Sequence, residues 1–510
     1  MRFGRRAVAV LVLVLGAGTL QACRPIPIGS PQATECPPIA AGGDTPIAAR
    51  PASAPAATPT DHVNVAVDLS VGAPNRNLTG VVWNSGSTVA PVAPVQPAIV
   101  RIDGSLQDRS TGPGQLDLQP LLQRVAQVRA IGAEPLVILS YMPTWLGAAR
   151  AGTTHDPTRM GPSDLDAWQA LVTQVVRTLA TAPQPAYRFE VWNEPDITIF
   201  WQDTIAEFVA MALRDHQAVA DVKRETGLPL QIGGPADAGP NSSNLVPYVQ
   251  AVAAAGLPLD FVSWHKYANS PFLGPDGPEG NLPLPIYQAL AKRNPNSTPL
   301  QYSSEIAAMR SRIQTALQGS GLSPQLIIDE WNVSAGGYDL RHDDAEGAAL
   351  DAGILIEMER AGLDAAAFYR AISGSDDHPG DWGLVHADGT PKPSWWVFRA
   401  WTLMTGDRLL TGGDDPASGL WARATRDRSC IDVLLTNFVA TGAPARTVEV
   451  DLHGELPRCL GERTTTLATL DASSTSLADV SVLHPAHHEA VTVPMASQSV
   501  ALLRLGCERR

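Results

Sequence analysis

The 510-residue chain has no apolar run long enough to cross a bilayer, few charges for its size, and no basic excess. A spanning helix needs about 20 apolar residues, and the stretch from Ala7 to Leu20 is too short for one. Charged residues make up 17% of the chain, and 51 acidic against 37 basic side chains give a net charge of −14. That balance argues against nucleic acid or an anionic membrane surface as the main partner. Cysteine is scarce, at five, with no C-x-x-C pair and no histidine at ligand spacing, which argues against a zinc centre. The eleven histidines do not gather at strand ends, as a metal-dependent barrel hydrolase would require; His484, His487 and His488 lie far along the chain. There is no internal repeat. Phe (nine) and Tyr (eight) are outnumbered by twelve Trp. Indole faces suit flat partners such as sugar rings, although core packing is their commoner use.

What is present begins at the N-terminus. Arg2, Arg5 and Arg6 precede a short apolar stretch, Ala7 to Leu20, and then "LQAC". A basic start, a short apolar core and the small residue Ala22 before Cys23 make residues 1–23 an export signal. The junction resembles a bacterial lipobox, which implies lipidation of Cys23, a membrane anchor through that lipid, and display on the outer face of the cell membrane; plain secretion is the alternative. Residues 24–61 are rich in Pro, Ala and Thr without an apolar period, as expected of an extended linker. The remaining cysteines, Cys36, Cys430, Cys459 and Cys507, allow three pairings in an oxidising compartment, and three of the four fall in the C-terminal segment.

From 62 to 395 short apolar strands alternate with amphipathic helices. "LTGVVW", "AIVRIDG", "PLVILSYMP", "YRFEVWN", "LQIGGPA", "DFVSWHKY", "LIIDEWN" and "AAAFYRAIS" are eight candidate strands. Between them, Leu118, Leu121, Leu122, Val125 and Val128 fall at helical spacing, with Gly132 placed to stop that helix. Eight strands with helical crossovers predict an α/β fold, a closed (β/α)8 TIM barrel. A doubly wound open sheet is the runner-up, weakened because no Gly-rich phosphate turn follows the first strand. From 396 to 510 the pattern changes to short alternating segments such as "CIDVLLTNF" and "ARTVEVDLHG", which predict a C-terminal β-sandwich. "HVNVAVDLS", ahead of the barrel, is a candidate extra strand for that sandwich.

Catalytic groups of such barrels stand at the C-terminal ends of strands. Strand four ends in Asn193-Glu194-Pro195, and strand seven in Asp329-Glu330-Trp331-Asn332. Two carboxyl groups facing one mouth are what glycoside cleavage needs: one protonated to donate to the leaving oxygen, one ionised to attack or to activate water. On strand six His265 and Tyr267 share a face, and Lys266 alternates away. Strand alternation likewise turns Asp329 away from Glu330, toward a structural contact. A metal held by Asp329, Glu330 and His265 lacks a ligand motif, and the chemistry asks for no metal or cofactor. Trp83, Trp145 and Trp382 fall near the ends of strands one, three and eight, where each is placed to stack on a sugar. Trp395 and Trp396 follow Pro393 at the domain junction and read as structural. Arg370 and Lys266 are candidates for a uronic carboxylate, with ion pairs inside the barrel the favoured reading.

"VWNEPD" and "IIDEWN" resemble the clan of retaining barrel glycosidases with Glu after strands four and seven. "DFVSWHKY", "VILSYMPTWL" and "GLVHADGTPKPSWW" resemble glycoside hydrolase family 39, which includes β-xylosidases, α-L-iduronidases and endo-acting polysaccharide hydrolases. The resemblance spans roughly residues 78–400. It implies that Glu194 is the acid/base and Glu330 the nucleophile, that Asn193 holds the sugar 2-hydroxyl, and that His265 and Tyr267 orient nucleophile or sugar. "VRIDG" puts Asp103 where many relatives carry a sugar-contacting His, and "IDEWN" puts Trp331 where relatives often show Phe. The expectation is a retaining glycosidase acting on an extracellular carbohydrate. The alternative is a non-catalytic carbohydrate-binding surface lipoprotein, which the presence of both carboxylates disfavours.

Overall fold

The computed structural model describes residues 61–148, 155–269, 298–337, 339–377, 379–456, 463–485 and 489–507. The signal segment with Cys23, the linker up to residue 60, Cys36, Cys459, and most of the loop after strand six lie outside them. Cys430 is disulfide-bonded.

Eight parallel strands close into a barrel, and each corresponds to one predicted from the sequence. In chain order they are Thr79–Val82, Ile99–Asp103, Glu134–Leu139, Arg188–Val191, Gln231–Asp237, Phe261–Asn269, Gln325–Ser334 and Ala365–Tyr369. Strand eight returns to strand one with Ala366 opposite Thr79. The helices form where the local signals coincide. In Leu165–Ala180 the Asp164 side chain accepts from the amides of Asp166 and Ala167, while Trp168, Leu171, Val172, Val175, Val176 and Leu179 form the buried stripe. Thr204 caps Ile205–Thr226 by accepting from Glu207 N–H, and Gly227, at φ 70°, ends it. Gln119–Ala130 stops as expected, with Gly132 at φ 83°. Between strands one and two only a 3-10 turn, Ala90–Val95, takes the place of a helix.

Inside the barrel, Val82, Ile99, Leu136, Phe261, Ile327, Ala365 and Ala367 pack as an apolar plug. Strand five must be glycine at 233. A Cβ there would come within 2.6 Å of the Phe261 ring and closer still to the Phe261 carbonyl oxygen. Above the plug the interior turns polar, and that change creates the site.

The remaining strands form one nine-stranded curled sheet around a second core of residues such as Val433, Leu435, Val448, Val450, Val491 and Leu503. Alternate residues of the same strands, Leu434 and Leu502 among them, join the barrel's core instead. Helix Ala345–Arg360 lies between, which is why thirteen of its sixteen residues are buried rather than one face. Strand Asp61–Pro74 lies within this sheet, antiparallel to Asp407–Gly412 and parallel to Arg446–His453. The barrel therefore starts after Pro74 rather than at 62, because the alternating apolar residues Val65, Val67 and Leu69 are buried in the sheet's core. Helix Pro393–Leu403, which buries Trp395 and Trp396, straddles the expected boundary at 395.

Candidate active site

The chain leaves strand four through an unusual backbone. Trp192 and Glu194 both have positive φ, 59° and 47°, in a region that non-glycine residues rarely occupy. The conformation is held from both sides. Trp192 is fully buried, edge-on to Tyr141 at 5.3 Å and to Trp201 at 5.1 Å. The Glu194 amide donates to Ala236 O on strand five at 2.8 Å. Asn193 and Glu194 consequently turn back toward the mouth instead of following the strand. Glu194 Oε1 meets His265 Nδ1 at 2.7 Å, and the other oxygen, Oε2, has no hydrogen bond among the described residues.

Strand seven departs from alternation. Its register against both neighbours slips after Ile328, a bulge that turns the consecutive residues Asp329 and Glu330 to the same interior. Asp329 is therefore not the outward structural residue that alternation predicts. It is fully buried, with Oδ2 3.0 Å from Arg101 Nε and 3.4 Å from His265 Nε2. Glu330 Oε2 accepts from Arg101 Nη1 at 3.1 Å, and Oε1 accepts a short hydrogen bond from the Tyr267 hydroxyl. His265 and Tyr267 share a face as expected. Lys266 points outward to Glu305 at 2.7 Å.

An oxygen of Glu194, an oxygen of Glu330 and a nitrogen of His265 all lie within 4.8 Å of one another. The three are spaced like a metal site. Burial opposes charging His265, yet Glu330, Asp329 and Glu194 around it hold the imidazolium well above its ordinary pKa. A metal bound there would have to displace the ring proton. Burial, seconded by Glu194, raises the Glu330 carboxyl above the usual range against the pull of His265, Arg101 and Tyr267.

The cationic floor is Arg101, 1% exposed on strand two. It reaches Glu190 at 2.6 Å, Asp329 at 3.0 Å, Glu330 at 3.1 Å and the Asn193 side-chain oxygen at 2.9 Å. Asn193 is fixed on its other side by donating to the Tyr141 hydroxyl at 3.2 Å. Sequence reasoning missed Arg101, Glu190, Tyr141 and Tyr369. A signal existed for the first two, since "VRID" and "RFEV" each carry two charged residues two apart, on one face of a strand whose alternate residues are apolar.

The other expected residues separate. Asp103 stands two residues above Arg101, its carboxylate accepting from Ser105 N–H at 2.8 Å and its pKa raised by burial. Trp382 is half-buried beside the site. Its indole N–H donates to Ser334 O at 3.1 Å, and its ring lies edge-on to Tyr369 at 5.5 Å, which in turn meets Tyr267 at 6.3 Å. Trp145 is half-buried on the loop after strand three, donating to Ser110 Oγ at 3.1 Å. Trp83 is a correction: it is 1% exposed, with the Arg124 guanidinium 4.4 Å over its ring, so it packs the core and offers no face to a sugar. Arg370 pairs with Asp381 at 3.1 Å, leaving neither it nor Lys266 as a free cation for a uronate.

Residues 123–459 match Glycosyl hydrolases family 39. Among curated proteins, a β-xylosidase of Caldicellulosiruptor saccharolyticus is 24% identical over 340 residues, 64% of each chain. A β-xylosidase of Geobacillus stearothermophilus is 26% identical over 338 residues, 63% of this chain and 62% of the relative. The chain thus spans less than two thirds of the length of these relatives. In fold it resembles the crystal structure of a glucosidase from Croceicoccus marinus (TM-score 0.68, 19% identity, 89% of this chain and 100% of that one). It is similar also to a monomeric β-xylosidase from Caulobacter crescentus (TM-score 0.67, 18% identity, 88% and 100%). Two strand-end glutamates on a barrel backed by a curled sheet, within a family match that covers both, lead to one assignment: the chain belongs to glycosyl hydrolase family 39.

Proposed function

We propose that the protein is a retaining glycoside hydrolase that cleaves O-glycosidic bonds of an oligo- or polysaccharide by double displacement. One observation carries the reading: oxygens of Glu194 and Glu330 lie within 4.8 Å of each other. Retaining enzymes place their carboxyl groups about 5–5.5 Å apart, whereas inverting ones leave about 6.5–9.5 Å for a water. In the first step the ionised form of Glu330, favoured against burial by His265, Arg101 and Tyr267, attacks the anomeric carbon. Glu194 gives its proton to the leaving oxygen through Oε2, the oxygen that His265 does not occupy. In the second step Glu194, now the base, takes a proton from water, which displaces Glu330. Asn193, held by Arg101 and Tyr141, is placed for the sugar 2-hydroxyl. Tyr369 and Trp382 form the aromatic wall.

The curated relatives are β-xylosidases, and a β-xyloside is the first substrate to offer. Asp103 in the position of a familiar histidine points to a sugar preference of its own. The test is a panel of aryl glycosides and polysaccharides run with wild type and Glu330→Gln, with the product anomer followed by NMR. Cleavage by wild type alone, giving the retained anomer first, supports the reading; the inverted anomer or a fully active Glu330→Gln overturns it. Silence of both proteins on every substrate favours the carbohydrate-binding alternative. The export signal and Cys23 support a lipid-anchored protein outside the cell. Cys23→Ser is expected to move it from the membrane fraction to the soluble one, and an unchanged distribution refutes the anchor.

A further inference from the structure

The mechanism uses Glu194 and Glu330, yet a third glutamate lies directly beneath them. Glu190, on strand four, is fully buried. Its Oε2 is 2.6 Å from Arg101 Nε, and Asp329 Oδ2 is 3.0 Å from the same atom. That nitrogen carries one hydrogen, so it cannot give both carboxylates a full hydrogen bond. Neither the remaining oxygen of Glu190 nor either oxygen of Asp329 has a hydrogen bond of good geometry among the described residues. Two ionised carboxylates converging on one N–H, out of reach of water, would repel each other at low dielectric. A proton on one of them turns that repulsion into a hydrogen bond.

The charges at this level give the same answer. Two cations face the cluster: Arg101 from strand two and His265 from strand six. The carboxyls are Glu190 and Glu194 on the strand-four side and Asp329 and Glu330 on strand seven. Asp237, on strand five, is 1% exposed, and burial keeps its carboxyl well above the usual range, aided by Asp196 nearby. Ser263, on strand six, offers its hydroxyl to the Glu190 carboxyl and favours its ionised form, though less than burial opposes it. Higher on strand two, Asp103 answers Arg124. Below, Arg188 is taken up by Gln231 at 2.9 Å and Gln325 at 3.1 Å. Two cations therefore balance two of these four carboxyls, not all of them.

We infer that Glu190 is a carboxylic acid that stays neutral at neutral pH, a positioning residue that leaves the charge of Arg101 to Asp329 and the nucleophile. This inference rests on the retaining roles of Glu194 and Glu330. With Glu190 neutral, the carboxylates that face Arg101 are Asp329 and Glu330. Formation of the glycosyl-enzyme then conserves the cluster's charge. The bond from Glu330 to the anomeric carbon forms and the bond to the leaving oxygen breaks. The negative charge lost at Glu330 reappears at Glu194 as its proton departs. Burial raises the Glu190 carboxyl to about 8 against the pull of Arg101, in keeping with the geometry.

Glu190→Gln is the test, because glutamine imitates the neutral acid. Both limbs of the kcat/KM pH profile are expected to stay within a fraction of a unit of wild type. Were Glu190 ionised, removing its charge would lower both limbs by about one unit or more, which overturns the inference. A second readout needs no activity: the thermal midpoint of wild type minus that of Glu190→Gln, measured from about pH 5 to pH 8. The folded wild type holds a proton that the unfolded chain releases, so the difference falls as pH rises. A flat or rising difference overturns the inference, as does a Glu190→Gln that fails to fold where Glu190→Asp folds. If no glycoside is cleaved, the proposed function fails while the midpoint test still decides the state of Glu190.

Discussion

Tyr267→Phe offers the most direct test of how the nucleophile is kept ionised. The ring stays and only the hydroxyl that donates to Glu330 Oε1 is lost. A hydrogen bond to a charged group contributes about 1.5–3 kcal/mol. It acts on the carboxylate and not on the protonated acid, so at 1.36 kcal/mol per unit its loss raises the Glu330 pKa by about one to two units. Arg101 still holds Oε2, so the acid is not released altogether. The acid limb of kcat/KM is set by ionisation of the nucleophile in the free enzyme. It is expected to move upward by that amount, with the alkaline limb in place and the fold intact by circular dichroism. The assay is a pH profile on an activated aryl glycoside, whose good leaving group reduces dependence on Glu194. An acid limb that stays put or moves down would refute the assignment of Tyr267 as the donor that keeps Glu330 charged.

Glu330→Gln is expected to lose at least about a thousandfold in kcat with a thermal midpoint close to wild type, since the amide keeps the side chain's size; unchanged kcat in a folded protein contradicts the nucleophile assignment. Gly233→Ala forces a Cβ onto Phe261 and is expected to cost about 1–3 kcal/mol of stability or more, read from denaturant midpoints. Fully buried His216 is held neutral, its pKa lowered by burial from 6.5 to about 4. The folded state therefore binds fewer protons than the unfolded chain between those values, and stability present above pH 6.5 is lost as pH falls toward 4, by about 3 kcal/mol. His216→Asn is expected to be less stable than wild type at pH 7 and to show a shallower acid-side decline; an equally steep decline means another group is responsible.

Most strands were legible because an apolar run followed by a turn-former is a local signal, and Glu194 stands at such a junction, whereas Glu330 lies inside Gln325–Ser334, which runs on past it. What lay deeper was not. Alternation is a rule about regular strands, and the bulge after Ile328 suspends it at the place where two acids follow one another. Asp329 was accordingly assigned to the wrong side. Arg101 escaped attention because a charged residue in the middle of "AIVRIDG" stands apart from any motif, and its partners come from two other strands. Trp83 shows the opposite error. A tryptophan at a strand end looks like a sugar platform, and only the Arg124 side chain across its face reveals that it is packed. The sheet's strand Asp61–Pro74 was suspected from its alternation, but its parallel neighbour, Arg446–His453, lies nearly four hundred positions later and no local pattern could pair them.

That pairing means that the two domains are not beads on a string. The barrel is inserted into the sheet, between a strand from before it and eight from after it. A chain cut after helix Pro393–Leu403 would keep every catalytic side chain and leave Asp61–Pro74 with both edges open, the condition in which strands seek each other in other molecules. Such a pair can be inherited or engineered only as a unit. A library that swaps barrels between scaffolds has to carry two splice points, not one.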